Sequence, residues 1–286
     1  MNDYSKEEEL NMDITKDTCY TYRKRRVPYE ELTLADDFMF CKVMQNADLC
    51  KELLQRILHI SIDKIVYTNY QKVVDDIFDG KSIRMDVYVK DERHTVYDIE
   101  MQTTNTRELP KRSRFYHACI DKSQLTKGKS YNSLTDTYVI FICIFDLFGK
   151  GIAKYSFDSV CKEDSSLLLN DGRHTIFVNT EAETKDHELN EFLHYLKTGE
   201  FADSDFLSDL NKEVQLASKN TQWREEYDML IAREQVLMEA EGRKEGREQE
   251  RLFLTKKLLQ KEDPVTVARL LDIPLEDVLK IQDCSI

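Results

Sequence analysis

The sequence has no CxxC pair. Its seven cysteines (Cys19, Cys41, Cys50, Cys119, Cys143, Cys161 and Cys284) are scattered and odd in number. That argues against a disulfide framework or a zinc knuckle, and a reducing, cytoplasmic setting is the expectation. Nor does any run approach the ~18–20 apolar residues that span a bilayer, so no membrane association is expected. The stretch up to Met12 is polar and acidic, without the basic-then-apolar pattern of a secretory signal. Positive charge is also short: 41 Lys and Arg stand against 54 Asp and Glu, for a net charge of −13. Such a balance runs against the basic footprint usual in nucleic-acid binders, unless the basic residues are concentrated locally.

They are concentrated. Between Arg107 and Tyr131 lie seven basic residues (Arg107, Lys111, Arg112, Arg114, Lys122, Lys127, Lys129) and two acidic ones (Glu108, Asp121). A second cluster, Arg23-Lys24-Arg25-Arg26, falls in a polar leader. Either cluster is also what an ordinary solvated surface would show.

The 286 residues leave room for one large domain with an appendage or for two domains. Residues 1–30 lack sustained periodicity and predict a flexible arm. From Leu34 to Ile60, apolar positions such as Phe38, Val43, Leu53 and Ile57 suit two short helices on a core. Residues 65–74 predict a strand ending at the turn signal Asp79-Gly80. Residues 107–126 predict a helix with Phe115, Ala118, Cys119 and Leu125 inward, and Gly128 as its stop. The continuous run Tyr138 to Phe145 suits a central strand buried on both faces, and Thr175–Asn179 a shorter one. A domain over 31–183 is expected, followed by a helical region over 184–286. That region holds two helices within 186–218, a long one over 222–262 interrupted by Gly242 and Gly246, and a small helix-turn-helix-like end after Pro264.

The chemistry lies between the first strand and the basic helix. In Arg84–Val89, Met85, Val87 and Val89 alternate with Arg84, Asp86 and Tyr88; in Val96–Gln102, Tyr97, Ile99 and Met101 alternate with Asp98, Glu100 and Gln102. Paired as an antiparallel hairpin with the apolar faces together, the two segments can set Asp86 across from Glu100, with Cβ atoms roughly 4.5–5.5 Å apart. Two bare carboxylates repel, and a divalent cation is the usual compensation. Mg²⁺ prefers oxygen ligands and keeps several waters, so Asp86 and Glu100 suffice as side-chain ligands. A metal so held is a Lewis acid for phosphodiester hydrolysis. Gln102, on the same face, can orient water or meet a phosphate, but lacks a lysine's charge. On spacing alone the commoner alternative is that Asp86, Asp98 and Glu100 decorate the solvent face of an ordinary hairpin.

The segment Gly80–Asp91 with Tyr97-Asp98-Ile99-Glu100-Met101-Gln102 resembles the PD-(D/E)XK nuclease family transposases, also called recombination-promoting nucleases. Asp37-Phe38-Met39-Phe40-Cys41-Lys42-Val43 is similar to that family's N-terminal Asp-x-x-Phe-x-Lys helix, and Lys111–Tyr116 to its basic-aromatic helix. Leu125–Tyr131, the buried strand and Phe145-Asp146-Leu147-Phe148-Gly149 continue the resemblance, which covers roughly residues 30–180 in order. It implies an α/β, restriction-endonuclease-like αβββαβ core with an added α-helical C-terminal region. It also implies a metal-dependent DNA endonuclease, using Mg²⁺ with Mn²⁺ as a substitute. Asp86 and Glu100 become the metal ligands, and Gln102 takes the place of the usual lysine, while Met85 replaces the proline of the broader superfamily pattern. Asp37 is a possible further acid, with helix capping the equal alternative. Lys111, Arg112, Arg114 and Tyr116 are expected on the DNA backbone, and the C-terminal helices are expected to form a homodimer. The rival expectation is a catalytically inactive protein that keeps the nuclease fold and serves as a binding or assembly module.

Overall fold

A computed structural model describes residues 27–74 and 83–283, with side chains throughout except at 67–74, 83, 84, 241 and 245. The arm expected over 1–30 lies, through residue 26 and including its basic cluster, outside the described residues, as does the Asp79-Gly80 turn signal. The described residues form two compact units that divide after Thr221.

The first unit opens with α1 (Asp37–Val43) and α2 (Ala47–Leu58). Asn46 caps α2, its side chain accepting from the N–H groups of Asp48 and Leu49, which satisfies two of the donors a helix start leaves open. Leu49, Cys50, Leu53, Leu54 and Ile57 recur at three- and four-residue spacing and are all buried. His59 ends the helix in the left-handed region (φ 56°), giving its N–H to Gln55 O.

A six-stranded mixed sheet follows, in the order β1-β2-β3-β4-β6-β5. Its members are β1 (Ile65–Val74), β2 (Ile83–Asp91), β3 (Val96–Gln102), β4 (Thr137–Cys143), β5 (Lys154–Phe157) and β6 (Arg173–Asn179). β1, β2 and β3 form an antiparallel meander. β3 and β4 are parallel, a pairing that needs a crossover, and α3 (Leu109–Gln124) is that crossover. β4 sits between β3 and β6 with Val139–Cys143 buried on both faces, as its unbroken apolar run predicts. The sheet therefore contains the expected αβββαβ core, extended by β6, which the sequence also suggests, and by the edge strand β5, which it does not.

The expected inward face of α3 is corrected in part: Cys119 packs against the core and Leu125 is half-buried, but the other two residues are not inward. Phe115 is 39% exposed and Ala118 also faces solvent, whereas Leu109, Ser113, Tyr116, His117 and Ile120 are buried. The helix turns a partly polar face to the sheet because that sheet face is mixed: Leu109, Tyr116 and Ile120 pack with Val139, Phe141 and Phe177, while Ser113 and His117 are buried beside them. His117 Nδ1 meets Thr137 Oγ1 and its Nε2 meets Thr175 Oγ1, both at 3.0 Å, tying α3 to β4 and β6.

Burial, with smaller contributions from Arg173 and His174, lowers the His117 pKa from 6.5 to about 4. The unfolded chain therefore binds one more proton between these values, so this group's contribution is complete above pH ~6.5 and declines as pH falls toward 4. Acid titration of stability should show a loss of up to about 3 kcal/mol across that window. In His117→Gln that part of the slope disappears.

Two further helices, α4 (His187–Thr198) and α5 (Asp205–Ser218), also belong to the first unit, although the change to charged helix formers near residue 184 groups them with the C-terminal region. Tyr29 Oη donates to Ala217 O at 2.6 Å. The Arg56 guanidinium lies 4.5 Å from the Phe206 ring centroid and pairs with Glu188 at 3.3 Å. These contacts join residues more than a hundred positions apart, which periodicity along the chain does not reveal.

The second unit consists of α6 (Thr221–Leu259), α7 (Pro264–Leu271) and α8 (Leu275–Asp283). α6 runs through Gly242 and Gly246 without a break, despite a cost of ~1 kcal/mol for each relative to Ala. Asp263 caps α7, and Asp272, in the left-handed region (φ 51°), ends it before Pro274. Among the described residues no helix is long and apolar enough to cross a membrane.

Candidate active site

The β2–β3 register pairs Val87 with Ile99 and Tyr88 with Asp98. One step further, the same register sets Asp86 opposite Glu100, as strand alternation allows. The Asp86 N–H donates to Glu100 Oε1 at 3.0 Å, and the Met101 N–H to Asp86 Oδ2 at 3.3 Å. From α1, Cys41 Sγ reaches Asp86 O at 3.5 Å.

This is not a solvent face. Asp86 is 7% exposed, and Asp98 and Glu100 are fully buried. The cover is α3, on which Arg112 and Tyr116 share a side because they are four residues apart. The Arg112 guanidinium spends all three nitrogens inward: Nη2 donates to Glu100 Oε2 at 2.6 Å, Nη1 to Gln102 Oε1 at 3.0 Å and Nε to Tyr116 Oη at 2.9 Å. Tyr116 Oη also lies 3.5 Å from Glu100 Oε2, as does Gln102 Nε2. The guanidinium carbon is 5.1 Å from the Tyr116 ring centroid and 5.7 Å from that of Phe141, within range of a cation–π attraction.

The electrostatics follow from this enclosure. Burial holds the Glu100 carboxyl well above the usual carboxylate range; Asp86 and Asp98 push the same way, and Arg112 and the Asp86 N–H oppose them. Burial alone would weaken the Arg112 charge, but Glu100 beside it holds the guanidinium more firmly protonated. Burial raises the Tyr116 phenol, and neighbouring Glu100 raises it further. Three carboxylates thus lie close together, with Arg112 on one oxygen of Glu100.

The other sequence candidates fall outside this cluster. Lys111 and Arg114 are exposed on α3. Asp37 is exposed at the first position of α1, its Oδ1 accepting from the Phe38 N–H at 2.8 Å. Sequence reasoning placed Arg112 on the DNA side of its helix and missed its contact with Glu100. The available signal was the Arg112/Tyr116 spacing, which puts both on one face without saying which face is inward.

Hard oxygen donors on Asp86, Glu100 and Gln102, crowded together, fit a divalent ion of the Mg²⁺ type. Among the described residues, no group of three or more His, Cys, Asp or Glu is placed to hold a metal. Water and substrate oxygens would have to complete the shell.

A mixed sheet whose central hairpin sets two carboxylates side by side beneath a basic helix defines a nuclease-type core. The chain belongs to the PD-(D/E)XK nuclease family transposases, whose family model matches residues 35–241. No curated protein and no solved structure is significantly similar to the chain. The family places the function in the nuclease, transposase-associated class, and nucleases of this kind generally use divalent metals.

Proposed function

We propose that the protein is a cytoplasmic, divalent-metal-dependent DNA endonuclease with Asp86 and Glu100 as the metal ligands. The observation that carries this reading is the buried Asp86–Glu100 pair, held by reciprocal strand contacts where a solvated hairpin would leave both carboxylates in water. Burial of two like charges is costly unless a cation compensates it, and a chain gains nothing in folding from that cost. A bound Mg²⁺ or Mn²⁺ would polarise the phosphoryl oxygens and make water more acidic.

The chain's own residues do the rest. Asp86 and Glu100 fix the cation, Gln102 orients the attacking water through its amide, and the enclosing Tyr116 and Phe141 keep bulk water out. Lys111 and Arg114, exposed on the same helix, meet DNA phosphates, with Arg112 and Tyr116 nearest the site. Asp37 is a further acid at the mouth if DNA binding brings it closer.

Incubating supercoiled plasmid with the pure protein in Mg²⁺, Mn²⁺, Ca²⁺ or EDTA tests the reading. Nicking or linearisation is expected in Mg²⁺ and Mn²⁺ and not in EDTA. The absence of cutting by the folded protein in every metal would favour a second reading, a nuclease-fold binding module. Two observations support that alternative: Gln102 where a lysine is usual, and an arginine seated on Glu100.

One such site cuts one strand, so we place the protein as a homodimer through its C-terminal helices. In α6, Met229, Val236, Leu237 and Phe253 are each more than half exposed, more than isolated surface apolar residues require. Sedimentation equilibrium of the full chain should give twice the 33.7 kDa chain mass. A monomer at micromolar concentration would contradict the dimer.

A further inference from the structure

We infer that the Arg112 guanidinium and the divalent cation are alternative occupants of Glu100, so that the site neutralises itself until a cation arrives and displaces the arginine. The inference rests on the metal-site reading above. Both Glu100 oxygens are engaged: Oε1 by the Asp86 N–H and Oε2 by Arg112 Nη2. The first is a backbone contact fixed by strand register, so Oε2 is the oxygen that can be exchanged.

The pair is also asymmetric in its freedom. The Glu100 side chain is fully buried, whereas that of Arg112 is 34% exposed, so the arginine is the member with a path outward. Lys111 and Arg114 flank it on the exposed side of α3. A cation approaching Asp86 and Glu100 meets a full positive charge 2.6 Å from the oxygen it needs. In a dry pocket that repulsion is far larger than it would be in water, and the two cannot share Oε2. Because Nη1 holds Gln102 Oε1, the same exchange frees the Gln102 amide. Arg112 thereby couples metal loading to release of the residue that orients water. It is a positioning residue in the metal-free state.

Calcium, a hard cation that takes carboxylate and amide oxygens, is the probe. Isothermal titration of full-length wild type, Arg112→Met and Arg112→Lys at mildly alkaline pH reads the exchange directly. Arg112→Met should bind Ca²⁺ roughly ten-fold or more tightly than wild type, the worth of one charge-assisted hydrogen bond. Arg112→Lys, which keeps the charge without the fork, should fall between them. A merely structural arginine predicts the opposite order, because its loss would loosen the site. Equal or weaker binding by a folded Arg112→Met overturns the inference.

Should that variant not fold, the wild type alone decides. The Arg112 Nε–H nitrogen-15 resonance, now anchored on Tyr116 Oη, should move as Ca²⁺ saturates the site. An unmoved resonance at saturation overturns the exchange while leaving the metal site standing. Absence of Ca²⁺ binding by every one of these proteins overturns the metal reading itself.

Discussion

Asp86→Asn and Glu100→Gln are each expected to reduce Mg²⁺-dependent plasmid nicking by at least about 10²–10³-fold, the scale of losing a principal electrostatic contributor to a charged transition state. Neither should unfold the protein. Asparagine retains an oxygen that can accept from the Met101 N–H, as Asp86 Oδ2 does now. Glutamine fills the Glu100 volume, but its single amide oxygen can accept from the Asp86 N–H or from Arg112, not from both as the two carboxylate oxygens do now. Glu100→Gln relieves the repulsion from Asp86 and Asp98 but gives up the ion pair with Arg112, two opposed effects, so its melting temperature should change little. That combination, lost activity with largely retained stability, is expected where a site is built for function and not for folding. A variant at Asp86 that still cuts in Mg²⁺ would remove the carboxylate pair from the mechanism.

Phe141→Ala should be the most destabilising of the substitutions considered. Phe141 is fully buried on β4, stacked on Phe177 at 5.4 Å and tilted against Tyr116 at 6.1 Å. Truncation removes the ring's burial and leaves a cavity between sheet and helix, a loss of about 3–5 kcal/mol. For a unit of this size the melting temperature should fall by roughly 10 °C. Phe141→Leu, which keeps most of the volume, should cost about 1 kcal/mol. Because Phe141 also underlies the Arg112 guanidinium, nicking by Phe141→Leu reports how far the site tolerates a softer floor. A Phe141→Ala protein as stable as wild type would mean that α3 is not packed on this face.

The parts of the fold that could be read in the sequence are those set by local period. Alternation in β2 and β3 yields the strands and the shared face of Asp86 and Glu100, and allows the observed register; a slip of two residues would keep the same faces together, so the exact pairing was not fixed by alternation. The run over β4 announces a central strand, because few other places accept seven consecutive apolar or β-branched residues. α3 was legible as a helix but not in its orientation. Phe115 looks like a core residue and is exposed, whereas His117 looks like a surface residue and is buried between two threonines. The choice was made by the sheet face beneath, where Thr137, Thr175 and Glu100 meet His117 and Arg112 beside the apolar Val139, Phe141 and Phe177, and that face belongs to strands distant in sequence. The same dependence hid the Arg112–Glu100 contact. β5, four residues long at a sheet edge, carries too little periodicity to stand out from the loop around it, and Lys154-Tyr155-Ser156-Phe157 becomes a strand only by pairing with β6. α6 passes through two glycines that argue for interruption, since each penalty is small against a helix of 39 residues.

The most direct test of the central claim is anomalous diffraction from crystals of the protein grown or soaked with Mn²⁺. The account predicts a peak between the Asp86 and Glu100 carboxylates, lost in Asp86→Asn crystals treated identically. Mn²⁺ bound at another site, or none bound at saturating concentration with Arg112 still on Glu100, would contradict it.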